Sequence, residues 1–249
     1  MTLLATERIK LFTTRSPWWS MLLALVLSVG FAALIVGNAS SAGETISVGV
    51  AESGYQFSLV VMMVMAALAV TTEYRFSTIR VSFQAVPNRT ALLLAKTTVV
   101  AVLAAIVGEA TAFASWAVAY LIHPAGMAMD TAQAWRNVAG MGLVYAITGV
   151  IAVAIGILIR QTAGAVAILL IYSLLVENLV TLIPKVGPNI QKWMPFTEAN
   201  NFLAAGSASA ARRGFDHMPL GPWASLLYFA GIGAVLLTIA LVTANRRDA

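Results

Sequence analysis

Long apolar runs alternate with short polar stretches along this chain, and six of the runs have the length of a bilayer crossing. A spanning helix needs roughly 20 apolar residues, within a range of about 17–25. The segments 18–36, 54–72, 91–121, 138–159, 164–183 and 223–243 meet that need, and the third is long enough to tilt or to protrude beyond the lipid. The alternating polar/apolar pattern of an outer-membrane barrel is missing. The pattern therefore predicts an all-α polytopic membrane protein with six transmembrane helices in a single membrane domain, residues 1–249.

The connections set a topology. Leu4, Leu11 and Phe12 fall on one side of a helix, which predicts an N-terminal interfacial segment over residues 1–17. Glu7, Arg8, Lys10 and Arg15 precede the first run as the basic region of a signal peptide would, but the run is long and more spans follow, so it reads as a retained anchor. Residues 38–52 form a Gly/Ser-rich loop without Lys or Arg, Pro124, Gly126 and Asp130 mark a turn, and Arg160-Gln161-Thr162 is a tight one. Residues 184–222 carry Pro184, Pro188, Pro195 and Asn200-Asn201 and are too interrupted to span. Ten basic residues (Arg8, Lys10, Arg15, Arg75, Arg80, Arg89, Lys96, Arg160, Arg246, Arg247) then face five (Arg136, Lys185, Lys192, Arg212, Arg213) across the membrane. Four of those five sit in the one long connection, where the positive-inside bias has least force. The asymmetry predicts cytoplasmic termini and an extracellular insertion over residues 184–222.

Composition agrees: 60% of residues are hydrophobic and 10% charged, with a mean hydropathy of +0.87. That excludes a water-soluble domain. A net charge of +5 would suggest nucleic acid in a soluble protein, but the basic residues lie at span ends, so lipid headgroups and not nucleic acid are their expected neighbours. Cysteine is absent, which removes disulfides and thiolate metal sites, and His123 and His217 lie outside the apolar runs. The sequence has no G-x-x-x-x-G-K-[ST] phosphate loop, H-E-x-x-H pair or G-x-S-x-G elbow. No cofactor is expected in this chain, and uphill movement of a substrate has to draw on an ion gradient or a separate ATPase.

Between the second and third runs lies Glu73-Tyr-Arg-Phe-Ser-Thr-Ile-Arg80, followed by Val-Ser-Phe-Gln-Ala-Val-Pro-Asn-Arg89. A short helix bearing Ile79, Val81, Phe83 and Val86 among Arg80, Gln84 and Arg89 has apolar area to fill a groove and charge to remain soluble. Anchoring at headgroups is the plainer alternative, although Glu73 adds nothing to such anchoring and points to a basic partner nearby. The order Glu73, Ser77-Thr78, Pro87, Arg89 and Lys96 resembles the cytoplasmic signature of type-2 ATP-binding-cassette exporter permeases, with Ser77 where that family often has glycine. Six spans, an amphipathic N-terminal segment and a long insertion before the last span extend the resemblance over the whole chain.

The resemblance implies that residues 73–90 hold a coupling helix that docks into a cytosolic ATPase subunit, with Glu73, Arg75, Ser77, Thr78, Arg80, Phe83, Pro87 and Arg89 at the contact. It also implies a second permease protomer, identical or related, ATP and Mg held by the ATPase, a bacterial plasma membrane, and export of a hydrophobic or amphipathic compound such as a drug, lipid or peptide.

Two carboxyl groups interrupt the apolar runs, Glu109 in the third and Glu177, followed by Asn178, in the fifth. Each costs about 2–3 kcal/mol in lipid and has to face protein or water. For Glu109 a place in a substrate cavity or gate and a role as interhelical hydrogen-bond glue stand as equal readings, while Glu177 resembles a glutamate that many members of that permease family carry near the outer end of the fifth span, which implies gating or packing. Trp193, Pro195 and Phe196 in the insertion suit either an apolar lid over the exit or a simple interfacial helix. Ala104, Gly108 and Ala112, with Gly149 and Gly156, permit close helix approach, and Trp18, Trp19, Trp135 and Trp223 suit interfacial anchors. An ion-coupled secondary transporter using Glu109 and Glu177, and a noncatalytic membrane scaffold, are the alternative functions.

Overall fold

The computed structural model describes residues 3–41, 46–86, 88–205 and 218–247. Among them six helices are long and apolar enough to cross a membrane: Ser16–Ala39, Val48–Arg75, Arg89–Ile122, Ala132–Ile159, Thr162–Leu182 and Pro222–Arg247. In chain order the elements are α1 (Leu3–Thr13), α2 (Ser16–Ser41), α3 (Val48–Ala51), α4 (Tyr55–Arg75), α5 (Thr78–Ala85), α6 (Arg89–Ile122) and α7 (Ala132–Ala139). They continue with α8 (Met141–Ile159), α9 (Thr162–Leu170), α10 (Glu177–Leu179), α11 (Gly187–Gln191), α12 (Pro195–Ala204) and α13 (Pro222–Arg247). An even number of crossings places α1 and the end of α13 on one face of the bundle, together with α5.

Two expected boundaries move. The loop expected over residues 38–52 is shorter, because Ile46, Val48 and Ala51 are apolar enough to bury and draw α3 and the turn Glu52–Gly54 into the second span. The fourth span likewise starts at Ala132, since the half-turn through Gly140 joins α7 to α8. The insertion after the fifth span is not a plain loop: α11 and α12 lie within it, and most of α12 is buried.

Burial separates an inner from an outer set of spans. Between 56% and 61% of the central windows of the second, third and fourth spans is buried, against 17% to 22% for the first, fifth and sixth. The outer spans expose Leu22, Leu34, Ile171, Leu175, Leu227 and Val235, which suits a lipid-facing or partner-facing surface. Within the inner set, small residues let α6 and α8 approach: a Cβ on Gly108 would lie 2.7 Å from the Tyr145 ring, and one on Gly149 would lie 3.3 Å from Ala104. In lipid, where the hydrophobic effect cannot drive helix association, such packing and interhelical hydrogen bonds hold the bundle. Tyr145 Oη donates to the Tyr55 carbonyl at 3.0 Å, the Ser28 and Ser115 hydroxyls meet at 3.0 Å, and Thr162 donates to Thr71 at 3.1 Å.

The charge asymmetry gives a direct test. In intact cells an impermeant thiol reagent should modify cysteine placed at Asp130 or Asn189 and spare cysteine at Thr14 or Gln84; the chain has no cysteine of its own to confuse the result. Labelling in the reverse pattern would invert the topology.

Candidate functional site

At the face that holds α1 and α5, four charged side chains from three helices meet. Lys96 on α6 reaches Glu73 at the end of α4 at 2.8 Å and also contacts Glu7 on α1. Lys10, one turn after Glu7, lies 3.0 Å from Glu7 and 3.7 Å from Glu73, and donates to Ser82 Oγ on α5 at 3.0 Å. Glu7 is 2% exposed and the Lys96 side chain 6%. Two carboxylates and two ammonium groups leave the cluster neutral, which is the condition for burying charge here at all. Burial acts to lower the pKa of Lys10, yet the adjacent Glu7 and Glu73 outweigh it and hold the ammonium above the ordinary lysine range. The partner expected for Glu73 is thus found, while Glu7 and Lys10 escaped the sequence reading. Their signal was an acid and a base three residues apart, one helical turn, in a segment read for its apolar side and its basic charge but not for an internal ion pair.

Through Lys10 and Ser82 the cluster is tied to α5. The second span stops where Phe76 N–H donates to Thr72 and Ser77 N–H to Tyr74, and Ser77 adopts a left-handed conformation with φ 58° and ψ 11°. An L-residue pays a steric penalty there that glycine escapes. Glycine at this point of the related signature therefore has a backbone reason, a reversal between two helices. From Ser77 the chain turns into α5, where Thr78 Oγ1 donates to the Glu73 carbonyl at 3.4 Å.

On α5 the apolar groups divide. Ile79 is buried in the bundle, and Phe83 is partly buried beneath the Arg89 guanidinium, 5.5 Å from its ring centroid. Outward-facing apolar groups are instead Val81, 65% exposed, and Phe76, 68% exposed with Arg75 stacked over it at 5.5 Å. Arg80 is exposed, and Pro87 lies outside the described residues.

The opposite face is organised around α12. Glu177 accepts hydrogen bonds from Phe196 N–H at 2.9 Å, Thr197 N–H at 2.8 Å and Thr197 Oγ1 at 3.0 Å, so a carboxylate from the fifth span caps the start of this helix. At its other end the Arg136 guanidinium donates to the carbonyls of Phe202, at 2.6 Å, and Ala205, and Asn137 donates to Leu203 at 3.2 Å. Anion at the N-terminus and cation at the C-terminus both match the helix dipole. This gives Arg136, one of the five residues against the charge rule, a local reason for its position. Asn201 ties the middle of α12 to Ser225 at 2.8 Å and to the Leu220 carbonyl at 3.0 Å. Glu198, fully buried beside them, has its carboxyl pushed above the usual range by burial, with Ser225 and Asn201 pulling the other way.

Between α4, the fifth span and α12 lies a cavity of about 500 Å³ whose lining includes Tyr55, Gln56, Met63, Asn178, Glu177 and Asn200. A wide helical turn at Ile171–Val176 precedes Glu177 at its edge, a distortion that often marks functional positions. Phe196 is buried against Tyr172 and Phe229, whereas Trp193 is exposed and packs on Tyr228. The two aromatics therefore face different surroundings. Glu109 lies apart from this cavity: its Oε1 accepts the Gly142 N–H at 3.1 Å, and a Cβ on Gly142 would stand 2.6 Å from that oxygen. Its geometry is that of a bond between α6 and α8.

The sequence profile described as ABC-2 family transporter protein matches residues 3–176, well over half of the chain. The chain belongs to this family. No match to a curated protein accompanies it. The matched region takes in the whole ion cluster, α5, and the bundle as far as the wide turn, and stops one residue before Glu177. This ABC-2 chain is accordingly a multi-pass permease of a family whose membrane proteins work with ATPase subunits.

Two variants test the ion cluster. Lys96→Met leaves two carboxylates facing only the half-exposed Lys10, and removing one partner of a buried pair costs about 3–5 kcal/mol. It should lower the melting temperature of the detergent-solubilised protein more than Glu7→Gln, which leaves Lys96 with Glu73; the opposite order would show that Lys96 is not the centre of the cluster. For the turn, Ser77→Gly should be neutral or stabilising within about 1 kcal/mol, and Ser77→Val clearly destabilising, because a β-branched residue tolerates positive φ poorly. Equal melting temperatures for the two would remove the left-handed turn from consideration.

Proposed function

We propose that the chain is the membrane-spanning permease subunit of an ATP-driven exporter, that it pairs with a second permease protomer, and that two cytosolic ATPase subunits holding ATP and Mg energise it. The observation that carries this reading is the form of α5 and the turn before it: a short helix tied at Ser82 to Lys10 of the ion cluster, with Val81 on the helix and Phe76 just ahead of it facing outward beside Arg75 and Arg80. Exposed apolar anchors ringed by charge are the composition of a contact surface. Closure of the ATPases would press on α5, and the ion cluster would pass that push to α4 and α6 together because Glu73 and Lys96 join them there. The bundle then shifts between two packings, as bistable interfaces do.

The cavity beside Tyr55, Asn178 and Asn200 is our candidate for the outer part of the pathway, with α12 as its cover. Its mixed lining suits a hydrophobic or amphipathic substrate. Glu109 and Glu177 are engaged with backbone N–H groups, which supports structural and gating roles over a proton relay. The bacterial plasma membrane, with both termini in the cytoplasm, is the location that fits this assignment.

The test is reconstitution. Phe76→Asp and Val81→Asp should each weaken copurification of the ATPase by tenfold or more, since a carboxylate enters a desolvated contact. In vesicles with ATP supplied and the proton gradient collapsed, transport should continue in the native chain and in Glu109→Gln and Glu177→Gln. Transport that stops on collapse, and is lost in both glutamine variants, would reject the ATP-driven reading in favour of ion coupling.

A further inference from the structure

A cavity of about 460 Å³ lies between α5 and the ends of the spans, and its lining includes Arg80, Arg89, Arg160, Arg247, Tyr74 and Phe83. The four arginines come from four places in the chain: α5, the start of α6, the turn between α8 and α9, and the end of α13. Among the described residues no Asp or Glu lines the cavity, and Glu73, close in sequence to α5, is held by Lys96 and Lys10. A bias toward positive charge at this face accounts for arginine at each span end, but it does not require that four of them converge on one hollow, where their mutual repulsion is unfavourable.

Two of the guanidinium groups are held in place by aromatic rings. Arg89 stacks over Phe83 at 5.5 Å and Arg160 over Tyr74 at 5.0 Å. Stacking engages the flat face of a guanidinium, and its in-plane N–H edge is the one that grips phosphate oxygens in pairs. The backbone adds a second observation. Among the described residues three non-glycine positions have positive φ, and two of them, Ser77 at 58° and Arg160 at 59°, line this cavity. Glycine would relax the turn at residue 160 and lose the guanidinium. Strain of this kind persists where the surrounding structure requires it and gathers at functional sites.

We propose that this cavity binds the phosphate of an anionic phospholipid from the adjoining leaflet. The hollow lies at the level where spans end and headgroups begin, and the cytoplasmic leaflet is the anionic one. Phe76 and Val81, the groups proposed to meet the ATPase, do not line it, so the lipid lies beside that contact and separate from it. A headgroup bridging Arg80 to Arg89, Arg160 and Arg247 ties α5 to the third, fourth and sixth spans, and so makes the setting of the coupling segment depend on the lipid around it.

Native mass spectrometry of the full chain in detergent, without any ATPase, tests the assignment independently of the transport reading. The probes are phosphatidylglycerol and phosphatidylcholine at equal concentration. The expected result is at least about tenfold greater retention of phosphatidylglycerol, falling to near parity in Arg160→Gln/Arg247→Gln, as loss of charged hydrogen bonds to one phosphate predicts. Arg247→Gln alone, at an exposed helix end, should reduce the preference and covers the case in which the change at Arg160 disturbs folding. Arg246→Gln, whose side chain does not line the cavity, should leave it unchanged. Equal retention of the two lipids, a preference indifferent to Arg160 and Arg247, or displacement of the lipid by inorganic phosphate at matching concentration would each overturn the proposal.

Discussion

A lysine buried at the end of a membrane span has to find negative charge inside the protein, and much of one face of this molecule follows from how Lys96 does so. An unpaired ammonium there would carry a desolvation cost of several kcal/mol. Glu73 comes from the neighbouring span and Glu7 from the N-terminal helix, so the two carboxylates bring α1, α4 and α6 to one point. Lys10 restores neutrality and reaches on to Ser82. The N-terminal helix, which as an isolated element looks like a weak interfacial anchor, thereby becomes a brace for α5.

The other face solves a related problem without an ion pair. A ten-residue helix laid against a bundle leaves unsatisfied N–H groups at one end and carbonyls at the other. Glu177 supplies acceptors at the first and Arg136 donors at the second. Because these two residues belong to the fifth and fourth spans, α12 is joined to both. Any shift of one span against the other has to move the helix or break a cap. The cavity below α12 thus has a cover whose position is set by the packing of the spans.

Between these faces the inner spans are held by close contact. Gly108 against Tyr145, and Gly142 against the Glu109 carboxyl, bring α6 and α8 together, the Tyr145 hydroxyl adds direction, and the hydroxyls of Ser28 and Thr162 tie the first and fifth spans to the inner ones. Closely packed inner spans and apolar, exposed outer ones suit a body that moves as a unit against a partner or lipid.

How much of this was legible in the sequence varies with the range of the interaction. The six crossings, the unusual length of the third, and the helical character of the whole chain were set by apolar run length, since a backbone in lipid has to satisfy its own hydrogen bonds and the helix does so locally. Residues 73–89 were legible as a distinct connection, with charge and apolar groups alternating within a few residues, and Glu73 announced a basic partner. Sequence alone did not tell which face of α5 is free, because Ile79, Val81 and Phe83 are equally apolar and only the bundle beneath them decides that Val81 faces out. Nor did it reveal that Glu7 lies against Lys96, that Arg136 caps a helix 66 residues further on, or that four arginines share one hollow. Run length and turn chemistry are written in neighbouring residues; the pairing of charges across a bundle depends on which helices pack together, and only the tertiary structure decides that.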